Sequence, residues 1–176
     1  MTPQEERTTQ KLRFARLHLD ELKSQLPPAT GSDFERSHHE AFLTQLFGSY
    51  NAFLQELNVL LGCGLKEDGV SLGKMRDALS AKNITSSVLR ELFELDHDPN
   101  SWFRQAKDYR DRIMHISGIP LAFHLGGPKD GKAAIINPQT RVEHQDDIEG
   151  TFTSWLLSMD QLVSRLRGNA SPTNVA

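Results

Sequence analysis

At 176 residues, 38% hydrophobic and 24% charged, the chain has the composition of one ordinary globular domain. It is long enough to bury about two-thirds of its unfolded surface without help from a metal or a cross-link. A formal charge of −3 excludes a general field that would attract nucleic acid, so any RNA contact has to come from a local patch. Cys63 is the sole cysteine, which rules out an intrachain disulfide, and with no secretory or membrane-length apolar segment the expected compartment is the cytoplasm.

Helical periodicity runs through most of the chain. Thr2-Pro3 reads as an N-cap with proline in the first helical position, followed by Leu12, Ala15, Leu19, Leu22 and Leu26 at alternating three- and four-residue steps. Pro27-Pro28 stops that helix. Ser32-Asp33-Phe34-Glu35 has the form of a capping box and opens a long second helix with Phe42, Leu46, Tyr50, Phe53, Leu57 and Leu60 on one stripe, closed by Gly62 and Gly64. A shorter helix is predicted from about Ser71 to Ser80 and another from about Thr85 to Leu95, together forming one broken antiparallel layer.

Asp98-Pro99-Asn100-Ser101 supplies the next turn and cap, after which Trp102, Ala106, Tyr109, Ile113 and Ile116 form an apolar stripe that Gly118 and Pro120 terminate. Leu121–Leu125 and Lys132–Ile136, separated by a Gly126–Gly131 turn, read as a β-hairpin, which is too small to be stable unless it packs on the helices. Asp146-Asp147 caps a last helix carrying Ile148, Phe152, Trp155, Met159, Leu162 and Leu166. The expected fold is all-α: a four- to five-helix bundle with one β-hairpin inserted before the last helix, as a single domain over residues 1–167. The polar residues 168–176 are expected to form a disordered tail.

The chemistry concentrates near the end of the fifth predicted helix, in Arg110-Asp111-Arg112-Ile113-Met114-His115. Arginine binds phosphate and histidine moves protons near neutral pH. Asp111 and His115 are i and i+4 on one helix face, within reach for a carboxylate to hold an imidazole. Arg110 lies about 140° around the axis from His115 and must sweep back to share a site. With 12 arginines and 7 histidines in the chain, chance alone supplies about 0.5 Arg-x4-His pairs, and Arg13 to His18 is such a pair, with Phe14 where a polar residue is wanted. Requiring a polar second residue and a late helix sets Arg110 to His115 apart.

That stretch resembles the Arg-polar-x-x-x-His motif of the HEPN superfamily of small helical proteins. The resemblance implies a metal-independent endoribonuclease without cofactor, working as a homodimer with two motifs facing each other. It also implies a toxin with an antitoxin partner, or a phage-defence effector. In these terms Arg110 stabilises the phosphoryl charge, His115 acts as acid or base, and Asp111 orients the histidine. In that superfamily's toxin branch a tyrosine often stands two residues after the histidine; here the position is Ser117, so that branch's regulation is not implied. The Thr9–Leu17 and Phe47–Leu57 stretches are similar to uncharacterised small bacterial proteins and supply no chemistry. Two other readings stay open: a non-catalytic module that binds RNA, a nucleotide or a protein partner through the same cleft, and an interaction protein in which the helix bearing Arg110 only mediates dimerisation.

Other clusters have structural explanations. His38, His39 and Glu40 are consecutive on a helix and point about 100° apart, a poor chelate. Asp96-His97-Asp98 lacks the partners of a zinc site and reads as a helix stop. Lys129 and Lys132 flank a hairpin turn that matches no phosphate-cradling fingerprint. Trp102 and Trp155 fall at core spacing.

Overall fold

A computed structural model describes residues 2–24, 32–115, 121–124, 131, 133–137, 141–170 and 173–174, with the backbone alone described at 114–115, 121, 123 and 173–174. Among the described residues there are six α-helices: α1 (Pro3–Ser24), α2 (Asp33–Leu60), α3 (Leu72–Ser80), α4 (Ser87–His97), α5 (Trp102–His115) and α6 (Ile148–Asn169). The fold is all-α, the helical bundle with a hairpin that the sequence led one to expect, and the broken layer consists of two short helices. The short helices α3 and α4 pack on each other as separate units, because the chain between them turns through Asn83 at a φ of 55°.

Each helix starts where a side chain can satisfy its free N–H groups. Thr2 accepts from the Glu5 N–H while its own N–H donates to the Glu5 carboxylate, a reciprocal box. Ser32, Ser71, Ser86, Ser101 and Asp147 accept from the N–H of Glu35, Lys74, Leu89, Arg104 and Gly150. At the far end of α2 the Cys63 N–H donates to the Asn58 carbonyl and the Gly62 N–H to the Val59 carbonyl. That pairing needs Gly62 in the left-handed region, at a φ of 63°.

Helices α1 and α2 are antiparallel and make the most extensive helix–helix contact among the described residues. Leu12, Ala15, Leu19 and Leu22 meet Phe42, Leu46, Phe53 and Leu57, all buried. Helix α6 crosses this pair, stacking Phe152 on Phe42 with ring centroids 4.5 Å apart. Helix α5 packs against α2, α4 and α6. Its buried line is Phe103, Ala106 and Tyr109, while Trp102 is half-buried beside it. The buried line thus begins one residue later than the stripe read from Trp102.

After a two-residue strand β1 (Ile84–Thr85), the expected hairpin is present, as β2 (Leu121–Phe123) antiparallel to β3 (Ala133–Ile136), with Leu121 opposite Ile135. A third strand, β4 (Glu143–Asp147), extends it on the other side of β3 through a bulged register that pairs Ala134 with Asp147 and Ile136 with Glu143. Ala134 and Ile135 are buried, and α6 covers the sheet, which supplies the packing a lone hairpin lacks. The Gly126–Gly131 turn lies outside the described residues apart from Gly131.

The tail expected from Gly168 differs in two places. Gly168 and Asn169 continue α6, and Thr173–Asn174 pairs antiparallel with Ile84–Thr85. A free strand edge offers backbone partners to any extended segment, whatever its composition.

One polar cluster ties the bundle together. The Glu56 carboxylate on α2 is 2% exposed and accepts from the Thr8 hydroxyl of α1 at 3.2 Å and from Arg167 Nη2 of α6 at 2.9 Å, with Arg167 Nε donating as well. Removing the cation strands a buried carboxylate. Arg167→Ala should therefore cost about 3 kcal/mol in urea unfolding. Arg165→Ala, which breaks the exposed pair with Glu91, should cost under about 1 kcal/mol. Equal costs would show that the Glu56 cluster does not hold the helices.

Candidate functional site

The outer face of α5 is a ladder of ion pairs. Arg104 Nε lies 3.0 Å from Asp108 Oδ1 one turn on, and Lys107 Nζ lies 2.6 Å from Asp96 Oδ1 on α4. Burial pushes the Asp108 carboxyl above its ordinary range, Arg104 opposes that shift, and the neighbouring Asp111 charge adds to it.

Arg110 stands where this face meets the core. Its guanidinium carbon lies 4.6 Å from the centroid of the Phe47 ring, and Phe47 is itself buried on α2 against Phe103. Nε donates to Asp111 Oδ1 at 2.9 Å, and Nη2 donates to the same oxygen. The ring face and the carboxylate together fix the side chain, which keeps 28% of its surface exposed, against 46% for Asp111.

Two of the three residues singled out in the sequence are thus in direct contact, in a pairing that helix spacing did not suggest. The expected partner of Asp111 was His115, one turn on. Here its oxygen takes two N–H groups from the adjacent arginine, because a long side chain spans the roughly 100° that separates neighbours on a helix. His115 is the last residue of α5, and its side chain lies outside the described residues. Arg112 presents Nε in a buried position, where it makes no hydrogen bond.

Beneath the motif lies an aromatic cluster that sequence reading missed. Tyr109 is fully buried, with ring centroids 5.8 Å from His144 of β4 and 5.4 Å from Trp155 of α6. The Tyr109 hydroxyl has no hydrogen-bond partner, and burial raises its pKa well above the phenolic range. Burial also lowers the His144 pKa, opposed by Asp146. Tyr109 and Trp155 lie on the apolar stripes of their helices, but His144 stands in a short polar segment that carries no strand pattern, so nothing in the sequence joined the three.

The remaining candidates separate as helix geometry requires. His39 turns into the core, edge-on to Phe152 at 5.2 Å, with its pKa lowered to about 4 chiefly by burial. His38 faces α1, and Glu40 is exposed. Asp96 pairs with Lys107, His97 stacks on Phe93, and Asp98 accepts from the Asn100 N–H, as a helix stop should. Trp155 is core. Lys129 and Lys132 lie outside the described residues. Among the described residues, no group of three or more histidine, cysteine or acidic side chains could hold a metal ion, and no helix is long and apolar enough to cross a membrane.

Comparison with protein-family models, with curated proteins and with solved structures finds no match to this chain.

Two outcomes follow from the buried cluster. An unpartnered buried hydroxyl costs about 1–3 kcal/mol, so Tyr109→Phe should leave stability unchanged or raise it by about 1 kcal/mol in urea unfolding. A clear loss would reveal a partner for that hydroxyl. His144 binds its proton more weakly folded than unfolded, so its contribution is complete above the ordinary value of 6.5 and declines as pH falls from there towards the lowered folded value. Stability profiles over that window should be flatter for His144→Gln than for the parent chain; parallel profiles would contradict this.

Proposed function

We propose that this protein is a HEPN-type, metal-independent endoribonuclease that acts as a homodimer, in the role of a toxin or a phage-defence effector. The observation that carries the reading is the seat of Arg110. A guanidinium fixed over Phe47 and bonded through two of its five N–H groups to Asp111 keeps three donors for a phosphate. It does so five residues, about 7.5 Å of helix rise, before His115.

In this mechanism Arg110 draws the scissile phosphate to the α5 surface and stabilises the charge that builds on its oxygens as the 2′-hydroxyl attacks. His115 transfers the proton of that hydroxyl or of the leaving 5′-oxygen, and the product carries a 2′,3′-cyclic phosphate. One proton donor and one acceptor are needed, and a second copy of the motif across a twofold axis supplies the other. Asp111 fixes Arg110 as it stands, and holding the imidazole requires its free oxygen.

The same bond supports a second reading, a non-catalytic module that binds RNA, a nucleotide or a protein partner such as an antitoxin. A carboxylate spent on Arg110 leaves the imidazole without its intended orienting group.

The purified chain should cleave single-stranded RNA in excess chelator, leave cyclic phosphate ends and scatter light as about twice 19.8 kDa. Arg110→Ala and His115→Ala should each lower the rate on the order of 10²–10⁴-fold while the helical spectrum is kept, with Asp111→Asn milder and His97→Ala without effect. Full cleavage by both alanine variants would remove the motif from the chemistry. RNA binding without cleavage by the parent chain would establish the non-catalytic module instead.

A further inference from the structure

We propose that His18 of α1 and His38 of α2 form a binding site for one divalent transition-metal ion of the zinc type. The two Nδ1 atoms face each other at 3.3 Å, with ring centroids 5.3 Å apart and planes inclined by 63°. Two imidazole nitrogens about 2.0–2.1 Å from a tetrahedral Zn²⁺ lie about 3.3–3.4 Å apart, and the same construction puts their ring centroids at about 5.2 Å. Two rings hydrogen-bonded head-on at 3.3 Å would have centroids about 5.6 Å apart, so the observed 5.3 Å lies closer to the spacing of two co-ligands.

The residues are preset for this. Phe34 packs against the His38 ring with centroids 4.3 Å apart, fixing its orientation from within α2. Neighbouring His39 is directed into the core, where Glu35 lies 3.8 Å from its Nε2, so neither competes for the pair.

Paired imidazoles favour Zn²⁺, Ni²⁺ or Cu²⁺ over Mg²⁺ or Ca²⁺, which prefer oxygen. With two protein ligands the ion keeps open positions for water. Since the histidines belong to different helices, bound metal would staple α1 to α2 near the ends that the 25–31 segment connects. Sequence spacing could not reveal the site: the three consecutive candidates on α2 diverge, and the second ligand comes from the Arg13 to His18 stretch, 20 residues away.

Calorimetric titration of the full chain with ZnCl₂ at neutral pH should give one ion per chain, accompanied by a rise in unfolding temperature that chelator reverses. His18→Ala or His38→Ala should weaken binding at least as much as loss of an outer partner of a ligand does, about 10–100-fold, and His97→Ala should not. If an alanine variant loses its helical spectrum, His18→Phe and His38→Phe preserve the aromatic packing and answer the same question. Absence of zinc binding by the parent chain, or binding undiminished in both folded variants, overturns the site. Because the proposed RNA cleavage is assayed in excess chelator, it stands or falls separately.

Discussion

A carboxylate buried among three helices constrains everything else in this fold. Glu56 meets Thr8 and Arg167, and an ionised group in that position is tolerated only when all its partners arrive. Apolar stripes such as those on α1 and α6 can slide by a turn against α2 at modest cost, since one leucine replaces another. Glu56 cannot slide without losing its cation. The cluster therefore selects the register in which α1, α2 and α6 meet, and that register puts Phe152 on Phe42 and sets Trp155 of α6 against Tyr109 of α5.

Helix α5 is consequently held on one face by aromatic packing and on the other by ion pairs along its own surface. Arg110 sits on the boundary and takes something from each: an apolar ring below, from a residue 63 positions earlier in the chain, and a carboxylate beside it, from the next residue. A lysine there would keep the charge and lose both the flat stacking on Phe47 and the paired donation to one oxygen. The guanidinium is needed for its shape as much as for its charge.

What could be read in the sequence follows from the range of the interaction. Helix starts were legible because a cap and the N–H it satisfies lie within three residues, as at Ser32, Ser101 and Asp147. Helix faces were legible because burial follows a fixed angle per residue. Strand β4 was not, because Glu143-His144-Gln145-Asp146-Asp147 contains no apolar residue and becomes a strand only by pairing with β3. The same division runs through the candidate site. Its local members, Arg110, Asp111 and His115, could be named from spacing, while Phe47, His144 and Trp155 come from distant parts of the chain and no local spacing ties them to it. The Arg110–Asp111 bond was local yet missed, because angular reasoning follows Cβ directions and an arginine reaches well beyond its Cβ.

That bond also bears on how an arginine held by the fold could serve the proposed chemistry. A guanidinium placed over a phenyl ring has lost part of its hydration and needs an anion close by. Asp111 supplies one from a half-exposed position, where water screens the pair and weakens the hold. A phosphate arriving at the same surface offers more charge and more acceptor oxygens than one carboxylate oxygen. It can use the three N–H groups that Asp111 leaves unclaimed, without breaking the existing contact. Phosphate binding and arginine fixation are thus compatible on this helix. The oxygen of Asp111 that takes no bond from Arg110 then becomes the limiting resource: it either orients an imidazole or stays in water, and that difference separates the proposed nuclease from the alternative proposal of a module that only binds.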